Sequence, residues 1–476
     1  MQNTEEIWRL VDAKKDDFEA LSDRVWGMPE IAYTELRSCA EHTAMLEQQG
    51  FRVTRNVAGI PTAVVGEAGE EGPVIAILGE YDALPGLSQE AGVAEHRPIP
   101  GNGNGHGCGH NLLGSAAMLA ATAVKDWLAK TGTPGRVRYY GCPAEEGGAA
   151  KAFMVREGAF SDVDIAITWH PNAFLEVAEP LSLANTRIDF AFHGRASHAA
   201  ASPHLGRSAL DAVELMNVGV NYMREHMPSD ARIHYAMIDG GGIAPNVVQA
   251  KARVRYSVRA PELPDMLDLL ERVKDIARGA ALMTGTKVDI HVLSAVSNLL
   301  GNEPLEQAMY DTMLRLGAPE WDEADRAFAH DIQSTLSAGD LATSYRKVGV
   351  QPKEGVPLCD AVVPRDSKRK PMIGSTDVGD VSWVVPTVQA HAPTYAIGTP
   401  GHSWQLTAQG KSPAAHKGMV HVAKIMAATA VATLEDPALI AAAKADLAER
   451  TRQTPYVSPL PDGVEPPLAA MAMSAS

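Results

Sequence analysis

Cys108 and His110 lie two residues apart in the glycine-rich segment 101–111, GNGNGHGCGHN. A thiolate and an imidazole at this spacing can serve as a pair of metal ligands. The glycines permit backbone conformations and close approaches that other residues resist. The segment alone fits equally well a glycine-rich turn that holds a buried thiol and a surface histidine. The prediction of a metal site therefore depends on other parts of the chain.

Further acidic and imidazole side chains follow strand-like segments elsewhere. Glu145 and Glu146 are adjacent in PAEEGG, and neighbouring carboxylates are costly unless protons or cations neutralise them. A centre of two metals removes that cost and leaves one carboxylate free as the general base for a bridging water. Singly, these residues have ordinary explanations, such as a hydrogen-bonded structural histidine or a solvated acidic pair. Together they predict a di-metal site formed by Asp82, Cys108, His110, Glu145, Glu146, His170 and His402.

The segments before these residues alternate between strand and helix patterns. Residues 74–78 form a continuous apolar run, which is typical of a strand covered on both faces. Strand patterns also precede Glu145 and His170, and helical patterns cover 112–130 and 149–157. This alternation predicts an α/β fold, a mostly parallel sheet with flanking helices. Ligands bind beyond the carboxyl ends of such strands, where the polar residues stand.

Residues 185–296 change character, because their patterns read strand, helix, strand, strand, helix, strand. This order predicts a ferredoxin-like α+β sandwich inserted into the larger domain. The predicted domains are a metal-binding catalytic domain, 1–184 with 297–476, and the inserted domain, 185–296.

Two stretches carry weaker patterns. Residues 320–370 show little apolar periodicity, which predicts surface insertions or long loops. The basic cluster Arg365, Lys368, Arg369 and Lys370 at its end is expected to be solvated. The chain after Gln453 is expected to be extended or disordered.

The composition limits the classes of partner. A formal charge of −16 without a compensating basic run argues against nucleic acid and anionic membranes as partners. The N-terminus lacks an apolar signal core, and no run of ~18 apolar residues occurs. Four cysteines without framework spacing indicate a reducing compartment. The expected location is the cytoplasm.

The motifs resemble those of the aminoacylase and carboxypeptidase G superfamily of co-catalytic di-metal amidohydrolases, in the branch with a Cys-x-His motif. The similarity covers roughly residues 10–435. It rests on the motifs GEYDAL, NGHGCGHN, GCPAEEGG, TWHP, SPHLGRSALDA, GGIAPNVVQA and STDVGDVSW. The resemblance implies a di-zinc exopeptidase-like fold in which the inserted domain is a lid and dimerisation domain.

The resemblance also implies the metal ligands. Cys108 would bridge two divalent metal ions, His110 and His170 would complete one of them, and Glu146 and His402 the other. The thiolate favours Zn²⁺ on grounds of softness, whereas homologous amidohydrolases often use Mn²⁺.

The remaining roles are implied in the same way. Glu145 would be the general base. Asp82 would hydrogen-bond a ligand imidazole and fix its orientation, as carboxylates next to metal-binding histidines generally do. His198 would reach the partner subunit's active site and stabilise the oxyanion. Asn246 and Arg259 would hold the substrate's carboxylate, a task that suits a guanidinium fork.

Four neighbouring polar residues receive no metal role. His106 and His204 are expected to be structural hydrogen-bonding residues. Asp377 and Asp380 belong to a loop expected to flank the site, with one carboxylate contacting a ligand or a histidine. Glu80 and Tyr81 stand where a histidine ligand would be sought in the more widespread His-x-Asp pattern of the superfamily, as the resemblance to the Cys-x-His branch implies.

The implied activity is hydrolysis of the amide bond of an N-acyl or N-aroyl amino acid, with p-aminobenzoyl-glutamate preferred. Carboxypeptidase G-type enzymes carry a further arginine near the end of the lid, and residues 287–301 contain none. That absence leaves open how a glutamate side-chain carboxylate would be bound.

Alternatives remain open. Other acyl-amino acids or dipeptides are alternative substrates, and the assembly is a homodimer or a heteromer with a homologous subunit. A non-catalytic binding subunit is the alternative from another class, although every ligand and the base are present. A thiol-redox protein would need a resolving cysteine near Cys108, and none is nearby.

Overall fold

The computed structural model describes residues 4–101, 103–369 and 374–468, which contain fourteen α-helices and eleven strands. The helices are α1 (Thr4–Asp12), α2 (Lys15–Trp26), α3 (Leu36–Gln48), α4 (His110–Thr131), α5 (Ala150–Arg156), α6 (Ala209–Met223), α7 (Leu263–Thr284), α8 (Glu303–Leu316), α9 (Glu323–Gln333), α10 (Ala338–Val348), α11 (Val378–Val384), α12 (Trp404–Gln409), α13 (Pro413–Glu435) and α14 (Pro437–Thr451). The strands are β1 (Arg52–Arg55), β2 (Val64–Ala68), β3 (Val74–Glu80), β4 (Arg136–Cys142), β5 (Ile165–Asn172), β6 (Glu176–Val177), β7 (Ala184–His193), β8 (Arg232–Asp239), β9 (Lys251–Ala260), β10 (Lys287–Val296) and β11 (Thr387–Pro393).

The larger sheet has seven strands in the order β1-β2-β4-β3-β5-β11-β6. Its four central strands, β4, β3, β5 and β11, pair in parallel. The flanking strands β1, β2 and β6 pair antiparallel. The carboxyl ends of the four central strands therefore meet at one edge, as the sequence pattern predicted.

Helices cover both faces of this sheet, which explains the continuous apolar run in β3. Ile75 and Ile77 belong to the core that includes α4 and α13. Val74, Ala76 and Leu78, which alternate with them, belong to the core that includes α5 and α11. Every residue of β3 is buried. The predicted α/β class is confirmed.

The smaller sheet has four antiparallel strands in the order β10-β7-β9-β8. Its elements follow the predicted order, β7-α6-β8-β9-α7-β10. Ile188, Phe190 and Phe192 of β7 pack with α6 and α7, whereas the alternate residues Arg187 and Asp189 occupy the opposite face. We propose that residues 185–296 form a separate domain built on this sheet.

The expectation of long loops was wrong for residues 323–348 and holds for 349–369, which contain no helix or strand. The first of these stretches contains α9 and α10, and each helix begins with a capping box, Asp322 with Asp325 and Ser337 with Asp340. The usual capping-box signal has Glu or Gln at the third helical position, and here Asp takes that place. The helices bury Ile332 and Tyr345 against the rest of the protein.

The basic cluster is only partly solvated. Arg365 pairs with Glu303 at 2.7 Å and Glu306 at 2.9 Å. The Arg369 side chain is 9% exposed and lies 3.4 Å from a carboxylate oxygen of Glu176. The expectation was therefore wrong for Arg369, and Lys370 lies outside the described residues.

By length and composition alone, α4 could cross a membrane, and the bent pair α13–α14 also passes that test if taken as one span. However, 83% of the apolar window of α4 is buried inside the protein. Its packing against β3 and α13 explains its apolar composition.

His421 of α13 allows a test of how burial affects pH stability. Its Nε2–H donates to the Gly317 carbonyl at 2.9 Å, and burial lowers its pKa from 6.5 to about 4. Between these values the unfolded chain binds a proton that the folded chain excludes, so stability falls as the pH falls. Between pH 7 and pH 5 the free energy of unfolding of the wild type should fall by about 2 kcal/mol more than that of His421→Gln. Glutamine keeps an N–H donor but does not titrate.

Urea unfolding at the two pH values measures this difference. His226→Gln, a change at an exposed histidine, should behave like the wild type. Equal pH losses in the wild type and His421→Gln would contradict the prediction.

Candidate metal centre

The parallel strands deliver the candidate ligands to one edge of the larger sheet. Asp82 follows β3, Glu145 and Glu146 follow β4, and His170 lies near the end of β5. His110 begins α4, directly after the glycine-rich segment. Because β4, β3 and β5 are neighbours in the sheet, these side chains converge.

Close packing explains one glycine of that segment, and backbone conformation explains another. A Cβ at Gly105 would overlap the Leu87 carbonyl. Gly109 has φ of 78°, in the left-handed region, and it starts α4 so that His110 takes the first helical position. Substitution of either glycine would displace the loop that presents Cys108.

Three other residues near the site adopt positive φ without being glycine. Ala144 (φ 55°) and Ala149 (φ 57°) flank the loop that carries the two glutamates, and His402 has φ of 53°. This conformation costs an L-residue roughly 1–2 kcal/mol. Such strained residues cluster at functional sites, where the surrounding structure holds them in place.

The donor atoms of all five predicted ligands fall into two groups. Cys108, His110 and His170 form one, and Cys108, Glu146 and His402 form the other; within each, the atoms lie within 4.8 Å of one another. Cys108 belongs to both groups, as expected of a bridging ligand. A third group contains Glu80, His110 and Glu145.

The two ligand imidazoles are oriented by their Nδ1 atoms. His110 Nδ1–H donates to Asp82 at 2.9 Å, and His170 Nδ1–H donates to the Pro171 carbonyl at 2.9 Å. Each ring therefore turns its Nε2 toward the other donors, the arrangement typical of metal-binding histidines. His170 Nε2 lies 3.4 Å from Cys108 Sγ.

Unsatisfied buried atoms show that this donor set fits metal ions. Within the described part of the chain, His110 Nε2, Glu80 Oε2 and Glu146 Oε1 are buried without a hydrogen-bond partner. His110 Nε2 lies 3.3 Å from Glu80 Oε2 and 4.0 Å from Glu146 Oε1. Unpartnered buried polar atoms are rare and costly. Divalent cations would satisfy all three, and a thiolate, imidazoles and carboxylates suit Zn²⁺ or Mn²⁺.

The electrostatics of the site favour cations. Burial raises the pKa of the Cys108 thiol well above its usual range, and the charge of Glu146 adds to the rise. Burial, then the charges of Glu80 and Glu146, raises the pKa of Glu145 in the same way. Bound cations oppose both shifts, so metal binding and deprotonation of these groups are coupled.

Asp82 organises both sides of the site. Its Oδ1 accepts from His110 Nδ1, and its Oδ2 accepts from the Glu146 backbone N–H at 2.9 Å. One buried carboxylate thus positions two predicted ligands.

A buried ion triad, Glu80–Lys151–Asp377, lies beside the metal-binding residues and was not predicted. The Lys151 ammonium is fully buried and lies 2.6 Å from Glu80 Oε1 and 2.6 Å from Asp377 Oδ1. The Lys151 backbone N–H also donates to Asp377 at 2.9 Å. The sequence held one signal, a lysine between apolar residues in AAKAFM.

The other flanking residues differ in their contacts. Asp377 contacts Lys151 rather than a histidine. Asp380 accepts hydrogen bonds from Ser297 and Tyr456. His106 hydrogen-bonds the Val25 carbonyl at 3.1 Å, as expected of a structural histidine.

The three residues predicted to contact the substrate from the inserted segment differ in their exposure. His198 and Asn246 are exposed, and the Ala199 N–H beside His198 donates to the Asn246 carbonyl at 3.0 Å. None of the contacts found among the described residues joins either of them to the predicted ligands. His204 is exposed as well. Arg259 is partly buried, and its Nε–H donates to Ser257 at 3.3 Å.

Comparison with known proteins identifies relatives of the whole chain. The model of peptidase family M20/M25/M40 matches residues 76–465. The chain is 47% identical over 476 residues to one of the subunits of p-aminobenzoyl-glutamate hydrolase from Escherichia coli, covering 97% of this chain and 99% of that one. It is 30% identical over 444 residues to the Xaa-Arg dipeptidase of Mus musculus, covering 90% and 88%.

A solved structure shares the fold. The crystal structure of a dinuclear metal-binding peptidase of the M20 family from Bacillus subtilis superposes with a TM-score of 0.53 at 17% identity. The match covers 87% of this chain and 98% of that one.

Proposed function

The chain belongs to peptidase family M20/M25/M40 and is a metal-dependent hydrolase of amide bonds, and we propose that its substrate is p-aminobenzoyl-glutamate. The relative at 47% identity over nearly the full length is named for that substrate. The observation that carries the hydrolytic activity is the pair of donor groups that share Cys108, with Glu145 beside them; the choice of substrate rests on that relative.

We assign the residues as follows. Cys108, His110 and His170 would hold one metal ion, and Cys108, Glu146 and His402 the other. When bound, these ions would polarise the scissile carbonyl and make an attacking water more acidic. The two groups that share Cys108 leave Glu145 free to carry a proton.

Glu145 would take the proton of the attacking water and pass it to the leaving amine. A general base must lie within hydrogen-bonding reach of the proton that it moves. Glu145 shares a group with His110 and Glu80, in which the donor atoms lie within 4.8 Å of one another. Asp82 would hold His110 and the Glu146 backbone in place during this transfer.

We propose further that two chains complete each site. His198 is exposed in the lid, which fits a histidine delivered to a partner subunit. The edge strand β8 exposes Tyr235, Met237 and Ile238, and an exposed apolar edge strand is suited to pairing with another chain. The partner would be a second copy or a homologous subunit, since the relative at 47% identity is named as one subunit of its hydrolase.

Subunit complementation tests the role of His198. Glu145→Gln and His198→Ala chains should each be nearly inactive alone. In a mixed dimer, one of the two sites combines an intact Glu145 with an intact partner histidine. After full exchange at equal concentrations half of the dimers are mixed, so about a quarter of the wild-type activity should return. No recovery in a demonstrated mixed dimer would contradict the assignment.

A substrate panel tests the proposed function. Metal-loaded protein, alone and with a homologous subunit, is assayed on p-aminobenzoyl-glutamate, N-acetyl-amino acids and dipeptides that include Xaa-Arg. We expect the highest kcat/KM for p-aminobenzoyl-glutamate. A higher value for an Xaa-Arg dipeptide would favour the activity named for the 30%-identical relative. A complex unaffected by Glu145→Gln in this chain would favour a non-catalytic subunit.

We also propose a reducing compartment, the cytoplasm, as the location. All four cysteines are free. A reducing compartment keeps cysteine thiols available, as the role proposed for Cys108 requires.

A further inference from the structure

One face of the smaller sheet carries arginines close to the metal centre. Arg187 of β7 and both Arg255 and Arg259 of β9 lie on the face opposite α6 and α7, since they alternate with the buried apolar residues. In the register of the two strands, Arg187 faces Ser257, so Arg255 and Arg259 are its diagonal neighbours. Three guanidinium groups therefore share one small area.

Only one of the three has an acidic partner among the described residues. Arg255 forms two hydrogen bonds with Asp189, at 2.7 and 3.1 Å. In the same part of the chain, no carboxylate pairs with Arg187 or Arg259. Their hydrogen bonds go to the Gly147 carbonyl, at 3.3 Å, and to Ser257, at 3.3 Å.

Both unpaired arginines are desolvated. Burial and then the charges of Arg255 and Arg259 lower the pKa of Arg187, and the smaller opposing effect of the Asp189 charge does not cancel this shift. Burial lowers the pKa of Arg259. Buried charges are costly unless they are paired. In a chain with a formal charge of −16, two guanidinium groups that have no ion-pair contact with a carboxylate among the described residues point to an anion supplied from outside.

Arg187 lies against the active-site loop. Its Nη1 donates to the carbonyl of Gly147, the residue that directly follows the predicted ligand Glu146. Ser294 of β10 donates to the same carbonyl at 2.9 Å. A Cβ at position 147 would collide with the Arg187 guanidinium. An anion bound by Arg187 would therefore lie next to the metal centre.

We propose that Arg187 binds the side-chain carboxylate of the substrate's amino acid, beside the α-carboxylate that the family resemblance assigns to Arg259, so that the enzyme selects amides of dicarboxylic amino acids. The inference rests on the proposed function and names its substrate class. Diagonal neighbours on paired strands are roughly 7 Å apart, a separation that two long side chains can close around a glutamate. Residues 287–301 lack the arginine that carboxypeptidase G-type enzymes carry near the end of the lid. In this proposal, Arg187 of β7 takes the place of that arginine.

The test compares p-aminobenzoyl-glutamate with p-aminobenzoyl-glutamine, which has the same shape without the second charge. A site with a buried arginine rejects an analogue that lacks the negative charge, because the guanidinium is then left without its anion. The wild type should therefore prefer the glutamate amide by about 100-fold or more in kcat/KM. Arg187→Met should lower kcat/KM for the glutamate amide about 100-fold and for the glutamine amide less than about 3-fold.

Arg253→Met is the matched control. Arg253 lies on the same face of β9, and its side chain is 49% exposed and 3.9 Å from Asp189. This variant should keep the wild-type preference. An Arg187→Met variant that lowers both rates equally would assign Arg187 to support of the Gly147 loop and overturn the inference.

A binding measurement separates this inference from the proposed function. By calorimetry, the metal-loaded wild type should bind L-glutamate at least about tenfold more tightly than L-glutamine, and Arg187→Met should bind both alike. If the wild type hydrolyses neither amide, the proposed function fails. The affinities for L-glutamate and L-glutamine still decide whether the inference about Arg187 holds. Equal binding of both amino acids by the wild type overturns it. Should Arg187→Met fail to fold, Arg187→Lys keeps the charge without the fork and should reduce the preference about tenfold.

Discussion

Replacing Glu145 with glutamine should lower kcat by at least about 100-fold, and by as much as about 10⁴-fold, while the protein keeps its metal ions. The amide has nearly the shape of the carboxylate but accepts no proton, so the variant removes proton transfer alone. Metal binding should survive because the two donor groups that share Cys108 do not include Glu145. Steady-state kinetics and elemental analysis of the same preparation measure both quantities.

Glu157→Gln is a suitable control, since Glu157 is an exposed glutamate just beyond α5. It should leave both the rate and the metal content unchanged. Wild-type activity in metal-loaded Glu145→Gln would contradict the assigned base. Glu80 would then be the next residue to test, because it belongs to the same donor group.

The assignment of Glu145 rather than Glu146 as the base depends on their contacts. Glu146 lies 3.4 Å from His402 Nε2 and shares a donor group with Cys108, which fits the proposed role as a ligand. Burial and neighbouring carboxylates raise the pKa of Glu145, which suits a group that must accept and release a proton.

The second large effect concerns stability. Lys151→Met should lower the free energy of unfolding by about 3–5 kcal/mol, because it leaves Glu80 and Asp377 as buried carboxylates without their cation. Chemical unfolding of metal-free protein measures the effect without a contribution from bound ions.

Two further variants make this prediction specific. Replacing all three partners, as Lys151→Met with Glu80→Gln and Asp377→Asn, should recover much of the loss, because no uncompensated charge stays buried. Lys444→Met removes an exposed pair with Asp164 and should cost less than about 1 kcal/mol. A Lys151→Met variant within about 1 kcal/mol of the wild type would contradict the proposed charge balance of the triad.

The convergence of the metal-binding residues could be predicted from the sequence. Their common position after apolar strands was visible, and parallel strands bring such positions to one edge. Asp82 and His110 are 28 residues apart, and their 2.9 Å contact follows from β3 and α4 being neighbours in the fold.

The buried triad and the arginine pair could not be predicted in the same way. Lys151 and Asp377 are separated by 226 residues, and their pairing depends on the packing of α5 against α11. Arg187 lies at a polar position of an alternating strand, which the pattern assigns to a solvated face. Its burial against Gly147 depends on how the smaller sheet meets the active-site loop. His198 is proposed to act in the active site of a second chain, so the structure of one chain does not bring it to the predicted ligands.

Elemental analysis of reconstituted protein tests the central claim, a di-metal centre organised by Cys108, most directly. After removal of metals and reloading with Zn²⁺ or Mn²⁺, the wild type should bind two ions per chain. His402→Ala should lose one, and Cys108→Ala should bind one or fewer because Cys108 belongs to both donor groups. Fewer than one ion per chain in the wild type, or two retained by Cys108→Ala, would contradict the account.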